Sequence, residues 1–502
     1  MKRRNFLKQS SSALGALAGL GLCSSGAGSP GAAQGPKDIQ APEDFESTWA
    51  GGPVEPDYHH ASPAAVERWR DWKFGMRIHY GVYSVLSLDA SVPLRASSPE
   101  FQRIYGTLYE VFDPASFDAD EWADLAQRAG MKYFIMPTRH EDGFSMYDTK
   151  TKVKSLRRIP APYKNHDESG IGETEECFIN YSVIDSPYKK DIIRALVEAF
   201  RRRGMGIGLY FDWNDLHDPD YKGCNFSPNY QRGYSQESHP EEWNRFFQRV
   251  YDSLHEVCSN YGKLDILSFD EGLPPNAWRE VVKIVKMVRS LQPDVLMRNR
   301  GIGPYGDYFN AEHWVPKGEN DPRVAGIAWE AIEMLTRRWA LQANDVFKTH
   351  EWVVYTLIDV VSKGGNFMPG VSPLPCGKLP LPAIERLEYA GRWLNVNGEA
   401  IYAARPWNVW NDGEDVRFTR TKDGKYVYAI SLKWPGDSLT LRSIRAQEGS
   451  QLSMLGVTTP LKWQQGRDGL VIQIPDAIAQ NKPCEQAFAF KIEAQPYRQT
   501  YE

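Results

Sequence analysis

The sequence predicts a β/α (TIM-like) barrel followed by a C-terminal antiparallel β-sandwich, the barrel over residues 42–400 and the sandwich over residues 401–502. Short apolar runs alternate with amphipathic helical stretches through the longer part, the order that builds parallel β/α units. Polar residues gather just after successive apolar runs, as they do on the C-terminal face of a barrel, where active sites lie. From about Ile401 onward the pattern changes to short alternating segments separated by Gly, Asp and Pro.

Residues 1–35 read as an export signal and linker. Arg3 and Arg4 precede Asn5, Phe6, Leu7 and Lys8, then an apolar run from Ala13 to Leu22, with Ala32 and Ala33 beyond. That order resembles a twin-arginine signal and predicts a periplasmic or extracellular protein. Cys23 follows Leu22, which is bulkier than a lipoprotein site usually accepts, so no lipid anchor is expected.

The first barrel strand is expected within Lys73 to Ile78, ending at His79. Asp118 to Arg128 reads as a helix opened by Asp and closed by Gly130, leading into a strand from Met131 and the polar group Arg139-His140-Glu141-Asp142. The pattern recurs in a helix from Asp191 to Arg203, Gly204, and a strand reaching Asp212. It recurs again in a helix from Pro240 to Tyr261, Gly262, and a strand from Leu264 to Phe269 that ends at Asp270-Glu271. Arg298-Asn299-Arg300 continues the series of strand ends. A doubly wound sheet also places ligands at strand ends, so this pattern alone does not single out the barrel. In the last part, Val416 to Thr419, Lys425 to Leu432 and Leu470 to Ile474 read as sandwich strands.

The 59 basic and 64 acidic residues nearly balance, which argues against a broad nucleic-acid-binding surface. Sixteen Trp and 25 Tyr suit stacking on sugar rings, although most are expected in the core. Cys177, Cys224, Cys258, Cys376 and Cys484 are scattered; they allow one disulfide and show no metal-ligand spacing. No later apolar run is long enough to span a bilayer.

Asp270 closes the run Leu264 to Phe269, which puts a carboxylate at the barrel mouth, and Gly272 is expected to turn the chain away. An Asp at this position also suits a helix cap. Several ordered segments bear on the choice: Lys73-Phe74-Gly75-Met76-Arg77-Ile78-His79-Tyr80-Gly81, Arg139-His140-Glu141-Asp142-Gly143-Phe144, Gly364-Gly365-Asn366-Phe367, and Trp393 to Tyr402. Together they resemble the α-L-fucosidase family of retaining glycoside hydrolases, the family 29 type, across nearly the whole mature chain. The resemblance implies a covalent glycosyl-enzyme mechanism acting on a fucose-containing oligosaccharide or glycoconjugate; no cofactor or catalytic metal is expected. It implies Asp270 as nucleophile, Arg300 as its partner or a sugar contact, and Glu312, in Tyr308-Phe309-Asn310-Ala311-Glu312-His313, as acid/base. Glu319 and Glu330 are nearby rivals for the last role. The acid/base needs an apolar wall to keep its proton, and Phe309 and Trp314 are the expected source.

His79 and His140 are expected to bond sugar hydroxyls. Three positions depart from the family pattern: Glu141 stands for the second His of its paired-His signature, Ser268 for a Trp, and Phe101, beside Glu100, for another Trp. Glu for His exchanges a donor for an acceptor, and Ser for Trp leaves room or adds a hydrogen bond, so strict specificity for fucose is not expected. α-L-Galactosides or sulfated fucosides are the alternative substrates. A glycan-binding protein that has lost catalysis is the alternative of another class. His79, His140, Asp142 and Asp212 also invite comparison with a metal site, but their spacing matches no ligand pattern.

Overall fold

The computed structural model describes residues 54–159, 174–225 and 227–495. The export signal, Cys23 and the expected start of the barrel at residue 42 lie outside these residues. Eight parallel strands form the main sheet: β1 (Gly75–Ile78), β2 (Tyr133–Arg139), β3 (Gly206–Asp212), β4 (Ile266–Asp270), β5 (Leu296–Met297), β6 (Tyr308–Glu312), β7 (Ala328–Met334) and β8 (Asn366–Val371). Their spatial order is β5-β4-β3-β2-β1-β8-β7-β6, and a bridge between Arg298 and Tyr308 links the two end strands. The sheet is therefore a barrel rather than a doubly wound layer.

Every residue of β2 and β3 is buried, as expected of strands covered on both faces. Alternation along the strands sends Tyr133, Ile135, Tyr210, Ile266, Tyr308, Ile332 and Met368 into one interior cluster. Trp69, from helix α1 (Pro63–Trp72), joins that cluster and packs 5.0 Å from the ring of Tyr308. Phe134, Leu209, Leu267 and Phe269 belong instead to the larger core that includes the surrounding helices.

The helix signals read from the sequence act as expected. Asp118 accepts from the N–H groups of Asp120 and Glu121 at the start of the helix Ala119–Arg128, and Asp191 accepts from Arg194 at the start of Ile192–Arg202. Gly130 and Gly204 follow these helices with φ of 81° and 68°, where a side chain would be strained.

The C-terminal part forms two antiparallel sheets. One contains Arg405–Asp412, Val416–Arg420, Tyr426–Ser431, Phe488–Glu493 and Ser453–Met454; the other contains Ser438–Leu441, Gly469–Gln473 and Trp463–Gly466. Phe418, Val427, Leu441, Leu470 and Phe490 give them a core of their own. Arg405 to Asp71 and Arg417 to Asp359, each at 2.8 Å, tie these sheets to the barrel's helices. The described residues form one compact unit. Cys177, Cys224, Cys258, Cys376 and Cys484 are all free, so the disulfide that their number allowed is not formed.

Candidate active site

Two adjoining regions of the barrel mouth end in the same way. β4 stops at Asp270 and Glu271 takes φ 54°; β6 stops at Glu312 and His313 takes φ 62°. A left-handed residue other than glycine is uncommon, and here each one breaks its strand directly after a carboxylate. The turn expected at Gly272 is thus made one residue earlier, by Glu271, and Gly272 is not left-handed. Asp270 caps no helix: Pro274 and Ala277 occupy the cap positions of the two helical segments that follow.

Asp270 and Glu312 are joined through arginines. Arg300 Nη1 donates to Asp270 Oδ1 and, at 3.1 Å, to Glu312 Oε2. Arg298 spans the same pair, with Nη1 3.3 Å from Asp270 Oδ1 and Nη2 2.7 Å from Glu312 Oε1. The Tyr210 hydroxyl lies 2.7 Å from Asp270 Oδ2. Burial alone would raise the Asp270 carboxyl, but Arg300 and Arg298, with the Tyr210 hydroxyl, reverse this and hold it well below the usual carboxylate range. Asp270 is therefore an ionised carboxylate in a nearly enclosed site, its side chain 14% exposed.

His79 and His140 complete one wall. Their rings lie 6.0 Å apart, and His140 stacks on Tyr210 at 5.6 Å. Burial pushes His140 down to about 3 against the opposing pull of Asp270, and Arg95, Arg77 and Arg300 act in the same direction as burial. Burial and Arg77 hold His79 well below its ordinary value too. Both are neutral imidazoles, each able to donate from one ring nitrogen and accept at the other. Trp339 packs 5.0 Å from His79 and 4.2 Å from His313.

Glu141 is at the site but is not presented to a ligand. Its carboxylate is fully buried and takes three bonds from Arg95, at 2.7 to 3.1 Å. Arg95 also reaches Glu271 at 2.6 Å, and Glu271 meets Arg300 at 3.4 Å. The acceptor expected to face the sugar is thus used to anchor an arginine. Ser268 is also fully buried, on the barrel-interior face two residues before Asp270. Glu100 is exposed on the helix Pro99–Gly106, and Phe101 packs 6.3 Å from Tyr105. Among the described residues, no hydrogen bond or ion pair ties Glu100 to the carboxylate-arginine cluster.

The two rivals to Glu312 sit elsewhere. Glu330 pairs in register with Asn310, two residues before Glu312, and is fully buried in the barrel, where it accepts from Asn310 Nδ2 at 2.7 Å. Glu319 is 53% exposed and pairs with Arg70 of α1 at 3.3 Å. The apolar wall expected around Glu312 is not what bonds it: its partners are Arg298 and Arg300, while Trp314 lies under the Arg323 guanidinium at 3.8 Å.

Arg298, Tyr210, Arg95 and Glu271 are site residues that the sequence reading did not single out for a role. For Tyr210 a signal existed, since it stands two residues before Asp212 on one strand and period two puts such pairs on one face. Among the described residues, no group of three or more His, Cys, Asp or Glu is arranged to hold a metal ion. Asp142, which burial pushes up to about 7, accepts instead from the Tyr105 hydroxyl at 2.5 Å and the Phe144 N–H at 3.0 Å.

A β/α barrel that brings two acidic strand ends together under shared arginines, beside neutral histidines, has the equipment of a glycoside hydrolase. The family model for alpha-L-fucosidase matches residues 44–399, and that for the alpha-L-fucosidase C-terminal domain matches residues 411–493. The chain belongs to the alpha-L-fucosidase family, glycoside hydrolase family 29. Plasma alpha-L-fucosidase of Homo sapiens is 26% identical over 476 residues, 87% of this chain and 92% of that relative. Tissue alpha-L-fucosidase of Homo sapiens is 27% identical over 471 residues, 87% of this chain and 91% of the other. Among solved structures, alpha-L-fucosidase isoenzyme 1 from Paenibacillus thiaminolyticus has a TM-score of 0.70 at 26% identity, covering 86% of this chain and 99% of that one. An alpha-L-fucosidase from Bacteroides thetaiotaomicron, trapped as a covalent intermediate with 2-fluoro-fucosyl fluoride, shares the fold with a TM-score of 0.69 at 20% identity over 87% of this chain and 97% of that one.

Proposed function

We propose that this chain is an exported, exo-acting α-L-fucosidase that retains anomeric configuration, with Asp270 as nucleophile and Glu312 as acid/base. One observation carries the pairing: a single nitrogen, Arg300 Nη1, hydrogen-bonds both carboxylates. Oxygens sharing one donor are at most about 6 Å apart, twice a hydrogen-bond length. Retaining glycosidases need roughly 5 to 5.5 Å between the carboxyl groups, whereas inverting ones leave about 6.5 to 9.5 Å for a water.

In the first step an Asp270 oxygen attacks the anomeric carbon while Glu312 gives its proton to the departing glycosidic oxygen. In the second, Glu312 takes a proton from water, which displaces Asp270 and releases the sugar. Entry of the sugar requires Glu312 to exchange arginine contacts for the glycosidic oxygen. His79, His140 and Arg300 are assigned to the sugar hydroxyls, with Glu141 acting from behind through Arg95. The covalent intermediate of the Bacteroides thetaiotaomicron relative supports this chemistry by analogy of fold.

Proton NMR of the purified protein with aryl α-L-fucoside, aryl α-L-galactoside and sulfated fucosides tests the reading. The α-anomer of fucose is expected to appear first. Initial β-anomer would overturn retention, faster release of L-galactose or sulfated fucose would reassign the substrate, and tight binding without turnover of any glycoside would favour a glycan-binding protein.

Export rests on Arg3 and Arg4 ahead of the apolar run to Leu22. No helix among the described residues is long and apolar enough to cross a membrane. Replacing Arg3 and Arg4 by Lys is expected to trap precursor in the cytoplasm, read by fractionation and immunoblot. Unchanged export would remove the twin-arginine assignment.

A further inference from the structure

Asp212 is a further carboxyl group at the barrel mouth, and the mechanism above leaves it unused. β3 and β4 pair so that Asp212 lies directly opposite Asp270. Two negative charges at neighbouring strand ends repel each other in a low-dielectric interior. Tyr210, two residues before Asp212 on the same interior face, places its hydroxyl between them, 2.7 Å from Asp270 Oδ2 and 3.0 Å from Asp212 Oδ2.

Counting protons settles who donates. A phenol has one proton, and an ionised carboxylate can only accept. Asp270, with Arg300 and Arg298 on its other oxygen, is the ionised partner, so the phenolic proton points to it. The remaining contact joins two oxygens at 3.0 Å, and a proton on Asp212 makes it a full hydrogen bond rather than a share of the one phenolic proton. We infer that Asp212 is a carboxylic acid that keeps its proton and serves as a positioning residue, donating to Tyr210 so that Tyr210 donates to the nucleophile. The catalytic meaning of this donor chain rests on Asp270 being that nucleophile.

The surroundings agree. Facing Asp212 are Asp270 and Glu271 from the end of β4 and Glu141 from the segment after β2. Arg139 of β2 donates to the Asp212 backbone oxygen at 3.1 Å, but its Nη1 is paired with Asp215 at 3.0 Å. Tyr221, which also lies near Asp212, directs its hydroxyl to Asn214 Oδ1 at 2.7 Å. Burial, then Asp270, Glu141 and Glu271, push the Asp212 carboxyl well above the usual range, against the Asn214 N–H. That N–H lies 3.0 Å from Oδ1, which leaves Oδ2 as the proton-bearing oxygen toward Tyr210. The chain pins Asp270 Oδ2 and so fixes the plane in which the carboxylate meets the sugar.

Asp212→Asn tests this directly. The amide oxygen should stay on the Asn214 N–H and the amide nitrogen should face Tyr210, reproducing the donor without a titratable proton. Infrared difference spectra of resting full-length protein, wild type minus Asp212→Asn at pH 7, are expected to show the C=O stretch of a protonated carboxyl group. Other buried acids, such as Asp142 and Glu330, are present in both samples and cancel. A difference showing loss of carboxylate bands instead would mean that Asp212 is ionised and would overturn the inference. In kinetics with an aryl α-L-fucoside, Asp212→Asn is expected to keep kcat/KM within about tenfold, while Asp212→Leu, which fills similar volume without a donor, loses about 100-fold. Equal losses in the two variants would overturn the donor role. Absence of turnover even in wild type would count against the proposed reaction, and the infrared arm would still decide the proton.

Discussion

Asp270→Ala is expected to lower kcat by on the order of 10⁴-fold or more, the scale seen when a residue that makes the covalent bond is removed. Among the described residues, the neighbouring acids are already engaged: Glu312 and Glu271 are held by Arg298, Arg300 and Arg95, and Asp212 faces Tyr210. Mass spectrometry of wild type with a 2-fluoro-fucosyl fluoride should show a glycosyl adduct on the peptide containing Asp270, and the variant should show none. Azide entering the vacated space should restore slow turnover with inverted configuration, because a single displacement then replaces two. An Asp270→Ala protein with ordinary kcat, or an adduct on another residue, would reject the assignment. Folding is not the concern in this variant. Removing Asp270 leaves the buried Arg298 and Arg300 with Glu312 as a shared partner, so neither guanidinium is stranded.

Glu312→Ala is expected to behave differently because the carboxyl group of an acid/base makes no bond to the sugar. Loss of proton transfer costs typically 10²- to 10⁴-fold, so hydrolysis of natural fucosides should fall by about that much. Glycosides with an acidic phenol as leaving group need little protonation, and their first step should be nearly spared. Azide should then accelerate turnover of such a substrate and give an α-fucosyl azide, with configuration retained. Equal rates of the variant and wild type on both substrate types would reject Glu312. The search would then move to Glu271, which is 23% exposed and within reach of Arg300, rather than to Glu319 or Glu330.

Placement sets those two apart from Asp270. The resemblance favoured Glu312 in type and spacing but left Glu319 and Glu330 as rivals, because a loop of unknown path lets any of them approach the barrel mouth. The parallel register of β6 and β7 sets Glu330 level with Asn310, one side-chain step below Glu312 and inside the packed barrel. Glu319 is drawn to Arg70, on the helix whose Trp69 joins the interior cluster.

Local chemistry explains why so much of the fold was legible. Asp118 and Asp191 stop and start backbone hydrogen bonding wherever they stand, and Gly130 and Gly204 tolerate left-handed backbone wherever the chain needs it. These properties belong to one residue and its near neighbours, so they can be read without knowing what packs against them. The same holds for the alternating runs of the C-terminal sheets and for the apolar run that delivers Asp270 to a strand end. Glu141 shows where such reading stops. Its residue type correctly announced an acceptor in place of a donor, but what it accepts from is Arg95, which lies 46 positions away in the chain.

The sequence by itself therefore determined the barrel, the sheets that follow it, and the strand ends that carry Asp270, Arg300, His79 and His140, because periodicity, caps and turns are local. Only the tertiary structure decided that Arg298 and Arg300 grip Asp270 and Glu312 together, that Glu330 is core, and that Asp212 stands opposite Asp270 across one phenol. Those outcomes depend on strand register and burial depth, where a shift of two residues moves a carboxyl group by a full layer, from the mouth of the barrel into its core.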